Sequence, residues 1–179
     1  MRGVEEALGF FATVRGRHSI RAFADRPVAS KTLQAILDAA NRAPSAGNLQ
    51  AYEIYVVTHL TTREALARAA LDQMFVAQAP VVLVFCAHPT RSARRYGERG
   101  RTLYCLQDAT IACAYAQLAA TALGLATVWV GAFDEEAVRR ALGAPPGLRP
   151  VAILPVGFPA EAPEITGRRP LEDLVRYIR

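Results

Sequence analysis

The sequence predicts an α+β sandwich: a mixed, mostly antiparallel sheet flanked by helices, with one helix buried at the centre. Three observations carry this expectation. Pro80–Ala87 (PVVLVFCA) is a continuous apolar run of strand length, as expected of a strand covered on both faces. Tyr104–Leu123 is apolar nearly all round and rich in alanine, about 30 Å long at ~1.5 Å per residue. Such a helix belongs inside a molecule or at a subunit interface. The other strand and helix signals are interleaved and do not form tidy hairpins.

Taken in order, residues 4–15 read as a short helix with Val4, Leu8, Phe11 and Ala12 on one face. The cluster Arg17-His18-Ser19-Ile20-Arg21 follows, then a turn at Asp25-Arg26-Pro27. Ser30 is a plausible cap for a helix over 31–42, whose apolar positions Leu33, Ile36, Leu37 and Ala40 have helical spacing. Pro44 stops that helix, because the residue before a proline is pushed out of helical geometry. Tyr52–Thr58 is aromatic and β-branched and reads as a strand, and residues 61–71 as a modest helix. Residues 88–101 read as a polar loop with Arg91, Arg94, Arg95, Arg99 and Arg101 against one acid, Glu98. Gly124 is the natural stop of the long helix. Leu125–Val130 is a further strand, and Asp134 caps a helix with Glu135 and Glu136 in its first turn and Arg139 and Arg140 in its last. Val151–Phe158 is the fourth strand, and an amphipathic helix over 171–178 closes the chain.

At 179 residues the chain is read as one domain, 1–179, large enough for a core without disulfide or metal staples. Apolar residues make up 52% and charged residues 21%, a globular rather than a disordered composition. The net charge of +5 favours anionic partners: phosphorylated cofactors, nucleic acid or acidic substrates. Cys86, Cys105 and Cys113 lack C-x-x-C spacing and sit among apolar residues, so reduced thiols in a cytoplasmic protein are expected. His18, His59 and His88 lie far apart with no cysteine or paired carboxylate beside them, so no metal site is expected. Glu5 and Glu6 interrupt any signal-peptide core, and no span is apolar enough for a bilayer, so no membrane partner is expected.

Four stretches remain to be explained together: Arg17–Arg21, the loop Pro44–Gln50 (PSAGNLQ), Thr127–Phe133 (TVWVGAF) and Arg168-Arg169. Taken alone, the first is a solvated charged turn or an oxyanion site; guanidinium forks bind two oxygens at once. Ser45 and Asn48 alone are turn formers. Flavin mononucleotide (FMN) accounts for all four: arginines for its phosphate, an amide such as Asn48 for its pyrimidine edge, a guanidinium such as Arg21 for the charge of its reduced form. Gly131-Ala132 would let backbone approach its ring. The flavin does the hydride chemistry, so no catalytic side chain is required, and none stands out.

Read together, RHSIRAF (17–23), APSAGNLQ (43–50), Asp108-x-x-Ile111-Ala112 running on to ALGLATVWVGAF (122–133), LPVGFPAE (154–161) and RRPLEDLV (168–175) resemble the nitroreductase family of FMN-dependent oxidoreductases. The resemblance spans nearly the whole chain in the right order. It implies that Arg17, His18, Ser19 and Arg21 reach the FMN phosphate, ribityl chain and pyrimidine edge. It implies that Pro44, Ser45, Ala46, Asn48 and Gln50 cover FMN from the partner subunit. Val130, Gly131 and Ala132 would lie beside the flavin ring, with Arg168 and Arg169 at the phosphate. The family is an intertwined homodimer with FMN at the interface, reducing FMN with NADH or NADPH and passing electrons to nitroaromatics, quinones or other small acceptors. Longer members carry an acidic residue where this chain has Gly131, and a longer excursion where it has residues 88–103.

Two rivals stay open on the sequence. One is a specialised enzyme of the same family, a dehalogenase, azoline oxidase or flavin-fragmenting type, which no feature positively supports. The other is a basic, non-catalytic nucleic-acid-binding protein using the 91–101 arginines; few aromatic residues accompany them for base stacking, and no nucleic-acid partner is expected.

Overall fold

The computed structural model describes residues 8–179. Val4, Glu5 and Glu6, on which the first helix and the signal-peptide argument drew, lie outside the described residues. Four strands form one sheet in the order β1 (Tyr52–Val57), β2 (Val81–Ala87), β4 (Arg149–Gly157), β3 (Ala126–Thr127), and every neighbouring pair is antiparallel.

The apolar run of β2 is buried at every position, and its two sets of alternating side chains enter two cores. Leu83, Phe85 and Ala87 pack with Ile36 and Ala40 of α2 (Ser30–Asn41) and with Ala109, Ala112, Ala116 and Ala120 of α6 (Cys105–Ala122). Val82, Val84 and Cys86 face the other way, onto Leu66 of α3 (Leu60–Ala69), Val76 of the short α4 (Phe75–Gln78) and Val138 of α7 (Glu135–Leu142). Helices thus cover both faces of the sheet. No helix of the described residues is long and apolar enough to cross a membrane.

The predicted strand Leu125–Val130 forms ladder pairs only at Ala126 and Thr127, plus an isolated bridge between Val130 and Ile153. All three pairings with β4 share one register, in which Val128 faces Pro155. Pro155 has no N–H to give, so the ladder is interrupted there. Ser30 is the first residue of α2, not its cap; Ala29 stands at the cap position without a side-chain bond. Asp134 does cap α7, its carboxylate accepting from the Ala137 amide at 2.9 Å.

Three expectations fail. Residues 88–101 are not a loop: Pro89–Arg99 is helix α5, started by Pro89 in its first turn and by His88 Nδ1, which accepts from the Arg91 amide at 3.2 Å. A wide π turn, Gly100–Tyr104, then joins it to α6. The chain reads as loop because almost nothing in it is apolar; the buried positions are Ser92 and Gly100. The first helix, α1, spans Phe10–Gly16 and leaves Phe11 exposed rather than inward. The closing helix α8 is only Leu171–Leu174, and every residue from Pro159 onward is exposed. So short a segment has no face of its own chain to pack on, and isolated helices under ~12 residues are marginal.

Two predictions follow from this packing. A Cβ at Gly100 would sit 2.6 Å from the Ser92 carbonyl oxygen. Gly100→Ala therefore costs about 1–3 kcal/mol in urea unfolding, as overpacking against backbone does. Burial, with Glu53 adding a smaller repulsion, pushes the Cys86 thiol up to about 12, and burial raises Cys113 well above its usual range. The folded state keeps a thiol proton that the unfolded state sheds near its ordinary 9.0, so stability is complete below that pH and falls between 9.0 and about 12. In the folded protein these thiols stay unreactive toward a disulfide reagent at pH 8 until urea exposes them.

Candidate functional site

The arginine cluster is laid along the free edge of β3. Ser19 bridges Thr127 in parallel, the Ile20 amide donates to the Thr127 carbonyl at 3.1 Å, and Ala24 and Ala160 bond across to Phe158 and Ala22. Ile20 and Phe23 are buried anchors in this added segment, which leaves Arg17, His18 and Ser19 half-buried and Arg21 exposed. Glu161 holds it from below: its carboxylate accepts from the Arg21 amide at 2.5 Å and the Ala22 amide at 3.2 Å. No carboxylate pairs with the Arg17 or Arg21 guanidinium among the described residues. A cavity of about 220 Å³ beside them is lined in part by His18, Ile20, Thr127 and Glu161.

From Thr127 the same edge runs to Val130, about 10 Å at ~3.3 Å per residue. Gly131 and Ala132 then lie exposed next to a cavity of about 350 Å³ lined by Gly131, Phe133, Thr110 and the Glu135–Arg149 ion pair. A Cβ at Gly131 would meet only the Trp129 indole, at 3.7 Å or more, so packing within the chain gives no reason for a bare backbone there.

The Pro44–Gln50 loop is built elsewhere, over the first turns of α6. Asp108, on the buried side of that helix and 2% exposed, accepts from the Ala46 amide at 2.9 Å and the Ala51 amide at 3.3 Å. Its carboxylate thus clips both ends of the loop. Ser45 Oγ accepts from the Gln50 amide at 3.0 Å, and Gln50 Nε2 donates to the backbone and side-chain oxygens of Asn48, both at 2.6 Å. Asn48 (φ 58°) and Gln50 (φ 41°) are both held in the left-handed region, a cluster of strain that surrounding bonds must maintain. The Asn48 side chain is exposed, and its oxygen accepts from Gln50. Arg91 of α5 closes the far end, donating to the Gln50 and Tyr52 carbonyls at 2.7 and 3.2 Å beside Glu53 at 3.7 Å.

The structure therefore brings the predicted residues together as two half-sites. Gln117 on α6 donates to Thr127 Oγ1 at 3.2 Å and so marks the arginine edge, while Asp108 marks the loop. The two lie about 13 Å apart along the helix at ~1.5 Å per residue. Arg168 and Arg169 sit in the exposed C-terminal arm, where Arg168 donates to Thr166 Oγ1 and the Gly167 carbonyl and Arg169 lies 4.0 Å from Asp173. Sequence reasoning has no signal for the role of Glu161, 140 residues along the chain from Arg21. It also placed Arg91 in a loop, which hid its role as a latch.

The model of the nitroreductase family matches residues 14–80 and 73–158. The chain belongs to that family. A Thermus thermophilus relative described as an NADH dehydrogenase is 36% identical over 188 residues, which cover 90% of this chain and 92% of the relative. Nitroreductase A of Vibrio parahaemolyticus superposes with a TM-score of 0.87 at 29% identity, covering 97% of this chain and 77% of that one. The NADPH:FMN oxidoreductase of Vibrio harveyi, solved with NAD+, gives a TM-score of 0.86 at 29% identity over 95% of this chain and 77% of its own. Both solved relatives extend beyond what this chain covers.

Removing the Asp108 carboxylate leaves the buried Ala51 amide without an acceptor, a loss of about 1–3 kcal/mol, and frees the half-buried Ala46 amide as well. Asp108→Ala is expected to abolish hydrogen-exchange protection at the Ala46 and Ala51 amides, with protection kept in β2 and β4.

Proposed function

We propose that the protein is an FMN-dependent NAD(P)H oxidoreductase that acts on small nitroaromatic, quinone or similar acceptors. The observation that carries this reading is the β3 edge, where two guanidinium groups without carboxylate partners lead along one strand to an unfilled backbone segment at Gly131. That donor set fits a flavin with its phosphate: cations and a hydroxyl at one end, bare peptide at the other. Bound FMN would accept a hydride from the nicotinamide and deliver it to the acceptor.

In this reading Arg17, His18 and Ser19 hold the phosphate and ribityl oxygens, with Arg168 and Arg169 drawn in from the arm. Arg21 neutralises charge that develops on the pyrimidine edge, and Glu161 keeps the Arg21 backbone in place for that. Val130, Gly131 and Ala132 present backbone to the ring. The site is completed by a second copy, whose Pro44, Ser45, Ala46, Asn48 and Gln50 cover the flavin; within one chain the loop is anchored at Asp108, about 13 Å along α6 from the Gln117 that marks the arginine edge.

The chain's apolar surface supports a homodimer. Ile111, Ala114, Tyr115 and Leu118 leave one side of α6 partly open, beside exposed Phe10 and Phe11. A groove of about 630 Å³ lies between α1 and α6. The exposed C-terminal arm carries Ile165, Leu171, Tyr177 and Ile178 with nothing of its own chain beneath them. Buried, protonated thiols suit the reducing cytoplasm.

The purified protein is expected to be yellow, with about one FMN released per chain, as a resident cofactor requires. Arg17→Ala should weaken FMN by about tenfold to a hundredfold, the loss of one charge-assisted bond. Flavin retention on gel filtration checks this, and a colourless parent that takes up no added FMN would overturn the reading.

A further inference from the structure

Helix α5 and the π turn after it carry more positive charge than their own fold uses. Arg91 is committed to the Gln50 and Tyr52 carbonyls and to Glu53, and Arg101 pairs with Glu98 at 3.6 Å. Arg94, Arg95 and Arg99 are exposed and have no carboxylate partner among the described residues. Three guanidinium groups on one short segment without a carboxylate partner leave a local positive charge that an anion would neutralise.

Their position is specific. Arg95 and Tyr96 lie directly on Gly47 of the loop: a Cβ there would sit 2.3 Å from Tyr96 Oη and 3.0 Å from an Arg95 nitrogen, and Arg95 also reaches the Gly47 carbonyl at 3.5 Å. Tyr96 meets Tyr104 edge-on at 5.1 Å, and Arg99 Nε donates to Tyr104 Oη at 3.0 Å. Tyr104 in turn lines a cavity of about 580 Å³ with Pro44, Ser45 and Ala46. Arg95, Tyr96, Arg99 and Tyr104 therefore form one rim running from Gly47 to that cavity, and exposed Arg94 is the chain neighbour of Arg95. The aromatic rings hold the guanidinium groups in place, Arg95 at 5.5 Å from the Tyr96 centroid and Arg99 at 5.4 Å from that of Tyr104.

We propose that this rim, Arg94, Arg95 and Arg99 on the loop-bearing subunit, binds the phosphates of the nicotinamide dinucleotide and makes NADPH the preferred donor over NADH. The inference rests on the FMN-dependent reading, because it is the loop covering the flavin that brings the rim to the composite site. NADPH differs from NADH by one phosphomonoester, close to two further negative charges at neutral pH. A cluster of fixed, unpaired guanidinium groups discriminates on that difference, and planar forks suit a phosphomonoester's paired oxygens. The rim touches no reacting atom; it is a specificity-determining feature.

The test is anaerobic reduction of the FMN-loaded protein by NADPH and by NADH, followed as flavin bleaching at low ionic strength. The parent should favour NADPH, and about 0.5 M salt should erode that preference as screening shortens the reach of the charges. Arg95→Ala/Arg99→Ala should lose about tenfold or more in apparent affinity for NADPH and much less for NADH, with flavin content unchanged. Arg94→Glu, at an exposed position with no contact to lose, should narrow the same ratio without touching Gly47. A parent without donor preference, or variants whose NADPH-to-NADH ratio stays within about twofold of the parent's, would overturn this inference alone. A flavin that neither donor reduces would overturn the oxidoreductase reading and this inference with it.

Discussion

The structure depends on one apolar helix that carries two buried polar side chains. Helix α6 is buried along alanines that let β2 and β4 approach closely on one side. A carboxylate and an amide in such a helix cost several kcal/mol each unless they are bonded. Asp108 and Gln117 are bonded, and to different things: Asp108 to the two ends of the Pro44–Gln50 loop, Gln117 to the strand edge on which Arg17–Arg21 is laid. The same desolvation that makes these groups costly makes their partners' positions exact, because a shifted loop or edge would leave a buried group unmet. One helix therefore sets the places of both half-sites.

How much of this could be read in the residues depended on where each signal came from. The β2 run, the central helix, the Asp134 cap and the Pro44 stop rest on local chemistry, and all appear where expected. The β3 strand was read too long because its ladder is limited by Pro155, a residue on the neighbouring strand that no local pattern includes. Helix α5 escapes a sequence reading for the opposite reason: hydropathy sees only burial, and this helix buries only Ser92 while its arginines face solvent and the loop. Periodicity puts Phe11 on an apolar helix face and makes 171–178 an amphipathic helix, yet Phe11, Val175, Tyr177 and Ile178 are exposed, because periodicity marks a face without saying what covers it.

The candidate site shows the same division. Motifs named the residues of both half-sites, and they are grouped as motifs, each on its own edge or loop. Spacing could not reveal that Glu161 sits under Arg21, or that Arg91 latches Gln50, since those pairings are made by the fold across long stretches of chain. Nor could it reveal that Gln50 occupies the Asn48 oxygen. That bond fixes the Asn48 side chain and leaves its NH2 free to donate.

The separation of the half-sites has a consequence for regulation of activity by assembly. In the proposed assembly, a flavin seated on the arginine edge of one copy would gain a wall from the loop of another copy, and that loop would bring α5 and its guanidinium groups with it. Cofactor retention and donor selection would then be properties of the pair of chains and not of either one. The exposed face of α6, the Phe10–Phe11 pair and the C-terminal arm are the surfaces through which such a pair would close, and the arm also carries Arg168 and Arg169. Burying them on association would bind the apolar arm and fix two more cations beside the site in a single step. Assembly, flavin and donor are on this view linked equilibria: whatever favours one favours the others by the same free energy.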